Sequence, residues 1–195
     1  MPASLALKPI AVEPAYDWRV DLSAHVFAGV HTRAEAMVAA ASLLCVGGCN
    51  YEHLGRGPDR FDELGFVRAC VQAALDVFRT HRQRASLADL AGYRPAPETW
   101  RHPDQLNALF REWGLELVTD LPMECMSKAQ PGDVIAYTGK NAWCAVMLKR
   151  AEEPKGKDWR HVVAGVFAPN PPRAVTHPGL MCTPAFLWRL PEGYQ

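Results

Sequence analysis

Neither sign of charge is in excess in this chain: Lys and Arg together number 21, and so do Asp and Glu. A zero formal charge speaks against nucleic acid or an anionic membrane as the main partner. It also leaves little charge repulsion against assembly with other proteins. No run is apolar enough over sufficient length to span a bilayer, so membrane insertion is not expected. The first residues, MPASLALKPIAVEPAYDW, have no basic start followed by an apolar core. A signal peptide is therefore not expected, and synthesis in a cytoplasm is. In that compartment the six cysteines (Cys45, Cys49, Cys70, Cys125, Cys144, Cys182) are expected to be reduced. Cys45 and Cys49, with His53 beyond, have the spacing of ligands on successive helical turns. Gly47 and Gly48 break that helix, and no second ligand pair follows, which falls short of the four ligands of a closed zinc site. No metal or other cofactor is expected, and the thiols read as small buried hydrophobes. Internal repeats and low-complexity tracts are lacking as well.

What is present is enough sequence for one domain with a substantial core. Residues 1–31 are punctuated by Pro2, Pro9 and Pro14 and carry a short alternating run, Trp18 to Leu22. They read as an extended arm. Residues 32–195 read as the domain. Thr32 and Glu35 have capping-box spacing ahead of a helix over Ala34 to Leu44, which Gly47-Gly48 ends. A second helix is predicted from about Asp62 to Thr80, with Phe66, Val67, Cys70, Val71, Ala74 and Leu75 on one face and Asp62 able to cap its start. Residues 81–103 form a polar connection. A third helix runs from Pro103 to Trp113, with Gly114 where a C-cap belongs.

From Leu115 the pattern turns to strands: Leu115–Val118, Asp133–Tyr137, Ala142–Leu148, Val162–Phe167 and Ala185–Leu190. Gly139-Lys140-Asn141 suits a hairpin turn, residues 151–158 an exposed loop, and Pro169 to Pro172 a break. Helices followed by an antiparallel sheet make an α+β pattern.

The stretch YEHLGRGPDRFDELGFVRAC, Tyr51 to Cys70, carries most of the functional information. GRGPDRFDELGFV resembles the GRGPxGFDCLGLV type of segment of the NlpC-type, papain-like cell-wall peptidases, above all the version found in tailed bacteriophages and gene-transfer agents. Gln130 to Val134 resembles the family's PGD turn, and Ala185 to Pro191 its closing strand. The resemblance covers roughly residues 32–190. It implies a papain-like fold: three helices on a small antiparallel, barrel-like sheet, with the N-terminal arm added.

The same resemblance implies where catalysis would sit. Family members use a cysteine that opens a helix, where unpaired N–H groups and the helix dipole favour the thiolate. Here Glu63 follows Asp62 at that position. The base, a histidine at a strand start, corresponds to Cys144, and a third polar position to His161. The Cys would attack a peptide carbonyl and the His would shuttle the proton. Glu63 and Cys144 are unsuited to these roles. Tyr51, Arg56, Asp62 and Trp143 correspond to the walls of the substrate cleft.

Each residue also has a plainer reading. Glu63 at a helix start contributes about 0.5 kcal/mol through the dipole. Cys144 in mid-strand lies away from anything that lowers a thiol pKa. His161 before Val162 and Val163 suits a structural histidine, and His177 before Pro178 a loop residue. Tyr51 and Trp143 suit core or interface aromatics.

The expectation is therefore a pseudo-peptidase: a structural tail-tip or baseplate component of a tailed phage or gene-transfer agent. Its partners would be other tail proteins, the tail hub first, with contact to peptidoglycan but no cleavage, and its location the virion tail. One alternative is an active peptidoglycan endopeptidase or amidase with a rearranged site, using Cys144 or Cys49 with His161. Another is a cytosolic binding protein of no phage connection on the same scaffold.

Overall fold

The computed structural model describes residues 29–52, 60–77, 103–138, 143–150, 161–177 and 183–192. The arm up to residue 28, Arg56, His53, the hairpin turn at 139–141 and the loop at 151–158 lie outside the described residues.

Helix α1 (Arg33–Val46) begins where the Thr32/Glu35 pattern puts it. The Thr32 hydroxyl accepts from Glu35 N–H at 3.1 Å, and the Glu35 carboxylate accepts from Thr32 N–H at 3.1 Å and His31 N–H at 2.6 Å. A second carboxylate reaches the same end from across the chain. Glu192 accepts from the backbone N–H groups of Arg33 and Ala34, at 2.9 and 3.3 Å. Two carboxylates at a helix N-terminus satisfy its orphan donors and complement its dipole. Helix α2 (Glu63–Val77) is capped by Asp62 and packs extensively on α1. Helix α3 (Pro103–Glu112) ends at Gly114, whose φ of +81° suits glycine.

Between α1 and α2, two-residue strands β1 (Asn50–Tyr51) and β2 (Arg60–Phe61) pair in parallel. The main sheet has six antiparallel strands: β3 (Glu116–Thr119), β4 (Val134–Thr138), β5 (Trp143–Lys149), β6 (His161–Gly165), β7 (Arg173–His177) and β8 (Thr183–Arg189), in spatial order β3-β8-β4-β5-β6-β7. It is open, with β3 and β7 at its edges among the described residues, so the expected barrel-like closure is not what forms.

Two elements depart from expectation. A fourth helix, α4 (Pro122–Lys128), follows β3. Its seven residues are too few to show helical periodicity, and Pro122 reads as a breaker although Pro favours the first helical turn. Strand β7 lies between the expected breaks at Pro169 to Pro172 and Pro178, where only His177 is assigned, to a loop. The prolines stop at Pro172, and Arg173 onward pairs fully with β6, so His177 ends a strand rather than sitting in a loop.

The sheet separates two apolar clusters by strand alternation. On one face α1, α2 and α3 cover Val134, Ala136, Cys144, Val146, Ala164 and Trp188. Trp188 is fully buried, with the Phe110 ring edge-on at 5.7 Å and the Arg111 guanidinium 5.7 Å from its ring centre. The other face gathers Ile135, Tyr137, Ala145, Met147, Val163 and Leu187, with Cys125 of α4.

The Gln130-Pro131-Gly132-Asp133 turn ties helices to sheet. Gly132 has φ +90°, and a Cβ there would stand 2.6–2.9 Å from Ala34 atoms. Gly132 N–H donates to Met147 O, and Met147 N–H to Asp133 O, each at 2.8 Å. The buried Asp133 carboxylate receives Arg189 through Nε at 2.7 Å and Nη2 at 2.8 Å, and Gln130 N–H at 2.8 Å. Charge-assisted, two-pronged pairing of this kind is among the stronger side-chain contacts.

Candidate functional site at the start of the second helix

Phe61 is fully buried and anchors β2, which fixes where α2 can start. The next residue, Asp62, is fully buried, and its Oδ1 accepts from Gly65 N–H at 2.6 Å. Gly65 at the third helical position is thus held by the cap. Glu63 follows at the first helical position with only 8% of its surface exposed.

Three further observations place neighbours around this helix start. Cys144 of β5 is buried and lies on the helix-covered face. Its Sγ is 3.6 Å from the Glu63 carbonyl oxygen, to which the thiol donates. The start of α2 and the strand β5 are therefore in contact at Glu63 and Cys144, although 81 residues separate the two. Tyr51, at the end of β1, is registered with Phe61. Burial holds its phenol pKa above the ordinary range, and the charges of Glu63 and Asp62 push the same way. Tyr51, Asp62, Glu63 and Cys144 thus converge.

His161 and Trp143 do not join them. Val146 pairs with Ala164, Met147 with Val163 and Lys149 with Val162. Continuing this ladder, Cys144 faces Val166, whereas His161 lies past Lys149. That offset is roughly 17 Å along the strand at about 3.4 Å per residue. The faces differ too: His161 is two residues from Val163 on β6 and so shares its face, which belongs to the cluster opposite the helices. His161 is buried and paired in register with His177. Along the β5–β6 ladder it therefore lies away from Cys144. Trp143, next to Cys144, points to the opposite face. It stacks on Tyr137 with centroids 3.9 Å apart and planes at 3°, and meets Phe167 edge-on. It is a core aromatic rather than a cleft wall.

The remaining chemistry is limited. As donor to a backbone carbonyl, the Cys144 sulfur acts as a thiol rather than as a thiolate. The polar groups gathered here are the two adjacent, buried carboxylates of Asp62 and Glu63 and the Tyr51 phenol with its raised pKa. Cys45 is also disfavoured as a thiolate: burial, then Cys49, pushes its thiol up to about 12. Cys70 is held well above its usual value by burial and by Cys45. Among the described residues no group of three or more His, Cys, Asp or Glu is arranged to hold a metal ion, and no helix is long and apolar enough to cross a membrane.

Comparison with known proteins adds no relative: no family model matches the chain, and no curated protein or solved structure matches it.

Proposed function

We propose that this chain is a structural tail-tip or baseplate component of a tailed phage or gene-transfer agent, carrying a papain-like, NlpC-type domain that has lost catalysis. One observation carries the reading. The carbonyl of Glu63, at the start of α2, accepts from Cys144 on β5, so the two positions that the resemblance assigns to nucleophile and base meet. The residues that occupy them do neither job. A carboxylate in place of the cysteine forms no thioester, and a neutral thiol in place of the histidine takes no proton. His161, which the resemblance gives as the third polar position, lies at the other end of the β5–β6 ladder from Cys144.

A domain that keeps such a helix-on-strand arrangement without its reacting groups serves by its surface. Partners under this reading are other tail proteins, the hub among them, with peptidoglycan as a contact that is not cut. The test compares purified chain, Glu63→Cys, and Glu63→Cys with Cys144→His on isolated peptidoglycan. The natural chain and the single variant release no soluble fragments; the double variant gains a thiol that iodoacetamide labels rapidly near neutral pH. Fragment release by the natural chain, abolished in Cys144→Ala, sinks the dead-enzyme reading. Mass spectrometry of purified particles from the producing bacterium tests the assembly role, and absence of the chain from them overturns it.

A further inference from the structure

The segment from β3 into α4 combines three features that the core does not require. β3 pairs with β8 on one side and has no second strand beside it among the described residues, which leaves backbone donors and acceptors at an open edge. The large hydrophobics most exposed among the described residues are four, and three cluster here: Leu117 at 38%, Leu121 at 53% and Met123 at 91%. Glu112, Glu116 and Asp120 line the same stretch, exposed, and no ion pair among the described residues engages them. Glu124 is different, bound to Lys128 at 2.6 Å.

An edge that only needed protection would carry charge without exposed Leu and Met beside it. The opposite edge, β7, fits that description: it shows Arg173 to solvent and no large exposed hydrophobic.

We infer that the β3 edge is a docking strip for an extended, cationic segment of a partner protein, which adds as a strand with apolar residues on Leu117, Leu121 and Met123 and bases toward Glu116 and Asp120. Strand addition draws affinity from main-chain hydrogen bonds and selectivity from alternate side chains. Charge decides the occupant. A second copy pairing edge to edge would set these acids against one another, and like charges across a ladder destabilise it. Residues 1–28 of this chain carry Glu13, Asp17 and Asp21 against Lys8 and Arg19, which is the wrong sign. The inference deepens the assembly role proposed above and rests on it.

The test uses full-length chain and two capped, fluorescein-labelled peptides, KVKVKVK and EVEVEVE. KVKVKVK binds by fluorescence anisotropy, the acidic peptide does not, and the complex slows amide hydrogen exchange within β3. Glu116→Lys with Asp120→Lys weakens binding on the order of tenfold at low salt, and Leu121→Ser with Met123→Ser weakens it separately. All four positions are at the surface, so circular dichroism of the variants stays as in the parent. Equal binding of both peptides overturns the inference, as do unchanged β3 exchange and indifference to the charge reversal. So does self-association of the unliganded chain that Glu116→Lys alters. Because the peptides test the surface without particles, a chain absent from virions sinks the assembly role even when KVKVKVK binds, while failure of the peptide in a chain present in virions sinks only the docking strip.

Discussion

Glu35 shows how much one exposed side chain does at the start of α1. Its carboxylate accepts two backbone N–H groups, and hydrogen bonding from His31 is the main cause that holds its pKa below 4.5. A lowered folded-state pKa means that the charged form is favoured by folding. The contribution is therefore present above the unfolded value and is lost as pH falls through the folded one. Thermal unfolding of the parent and Glu35→Gln between pH 7 and pH 3 checks this: the parent is more stable at pH 7, and the gap closes below about 4.5. A gap that is constant with pH would mean that the carboxylate's charge has no part in the cap. Gly132 is the sharper case. Alanine there meets the Ala34 backbone at 2.6–2.7 Å at a positive φ. Neither the helix nor the turn can retreat cheaply, since Glu192, Arg189 and Met147 hold both. Gly132→Ala is expected to cost at least about 3 kcal/mol in denaturant unfolding; a loss below 1 kcal/mol would show that α1 and the turn can separate.

At the scale of elements, the strong local signals were legible and the weak ones were not. The Thr32/Glu35 box, the Asp62 cap and Gly114 each act within four residues, so the three long helices could be placed from sequence to within three residues at most ends. All five expected main-sheet strands overlap observed ones, three within one residue at each end and two within two residues. α4 was missed because seven residues with a leading proline carry no period. β7 was missed because its pairing with β6 is a tertiary fact, not a local one. Which residues meet is harder still. Contact between the Glu63 carbonyl and Cys144 leaves no mark in any local spacing, since 81 residues separate them. Register decides where His161 and Trp143 lie: strand alternation sends Trp143 to the face opposite Cys144, and the β5–β6 ladder sets His161 away from Cys144 along the strands. A reader of the sequence sees polar and aromatic residues near the right strand. Only the pairing register says which face and which end they occupy.

For the whole molecule, the question is whether two apolar clusters mean two cooperative units. The clusters lie on opposite faces of one sheet and share its backbone: Ala136 faces the helices while Tyr137 faces away, and Trp188 and Leu187 divide in the same way on β8. Losing either cluster strips the packing from one face of every central strand and so weakens the ladder on which the other face depends. The Gly132–Asp133 turn and its Arg189 clasp bind the two sides again, since they join α1, β4, β5 and β8 at one point. One transition is therefore expected. Two single-tryptophan reporters check it, with Trp188 kept on the helix-covered face in one and Trp143 kept on the other face in the second. Their urea transitions coincide with each other and with far-ultraviolet circular dichroism measured on the same variant. An earlier midpoint at Trp143 would mean that the side carrying α4 opens while the helical side stays folded. In that event the strip along β3 would belong to the less stable part of the molecule, and a strand docking there would raise the Trp143 midpoint toward that of Trp188.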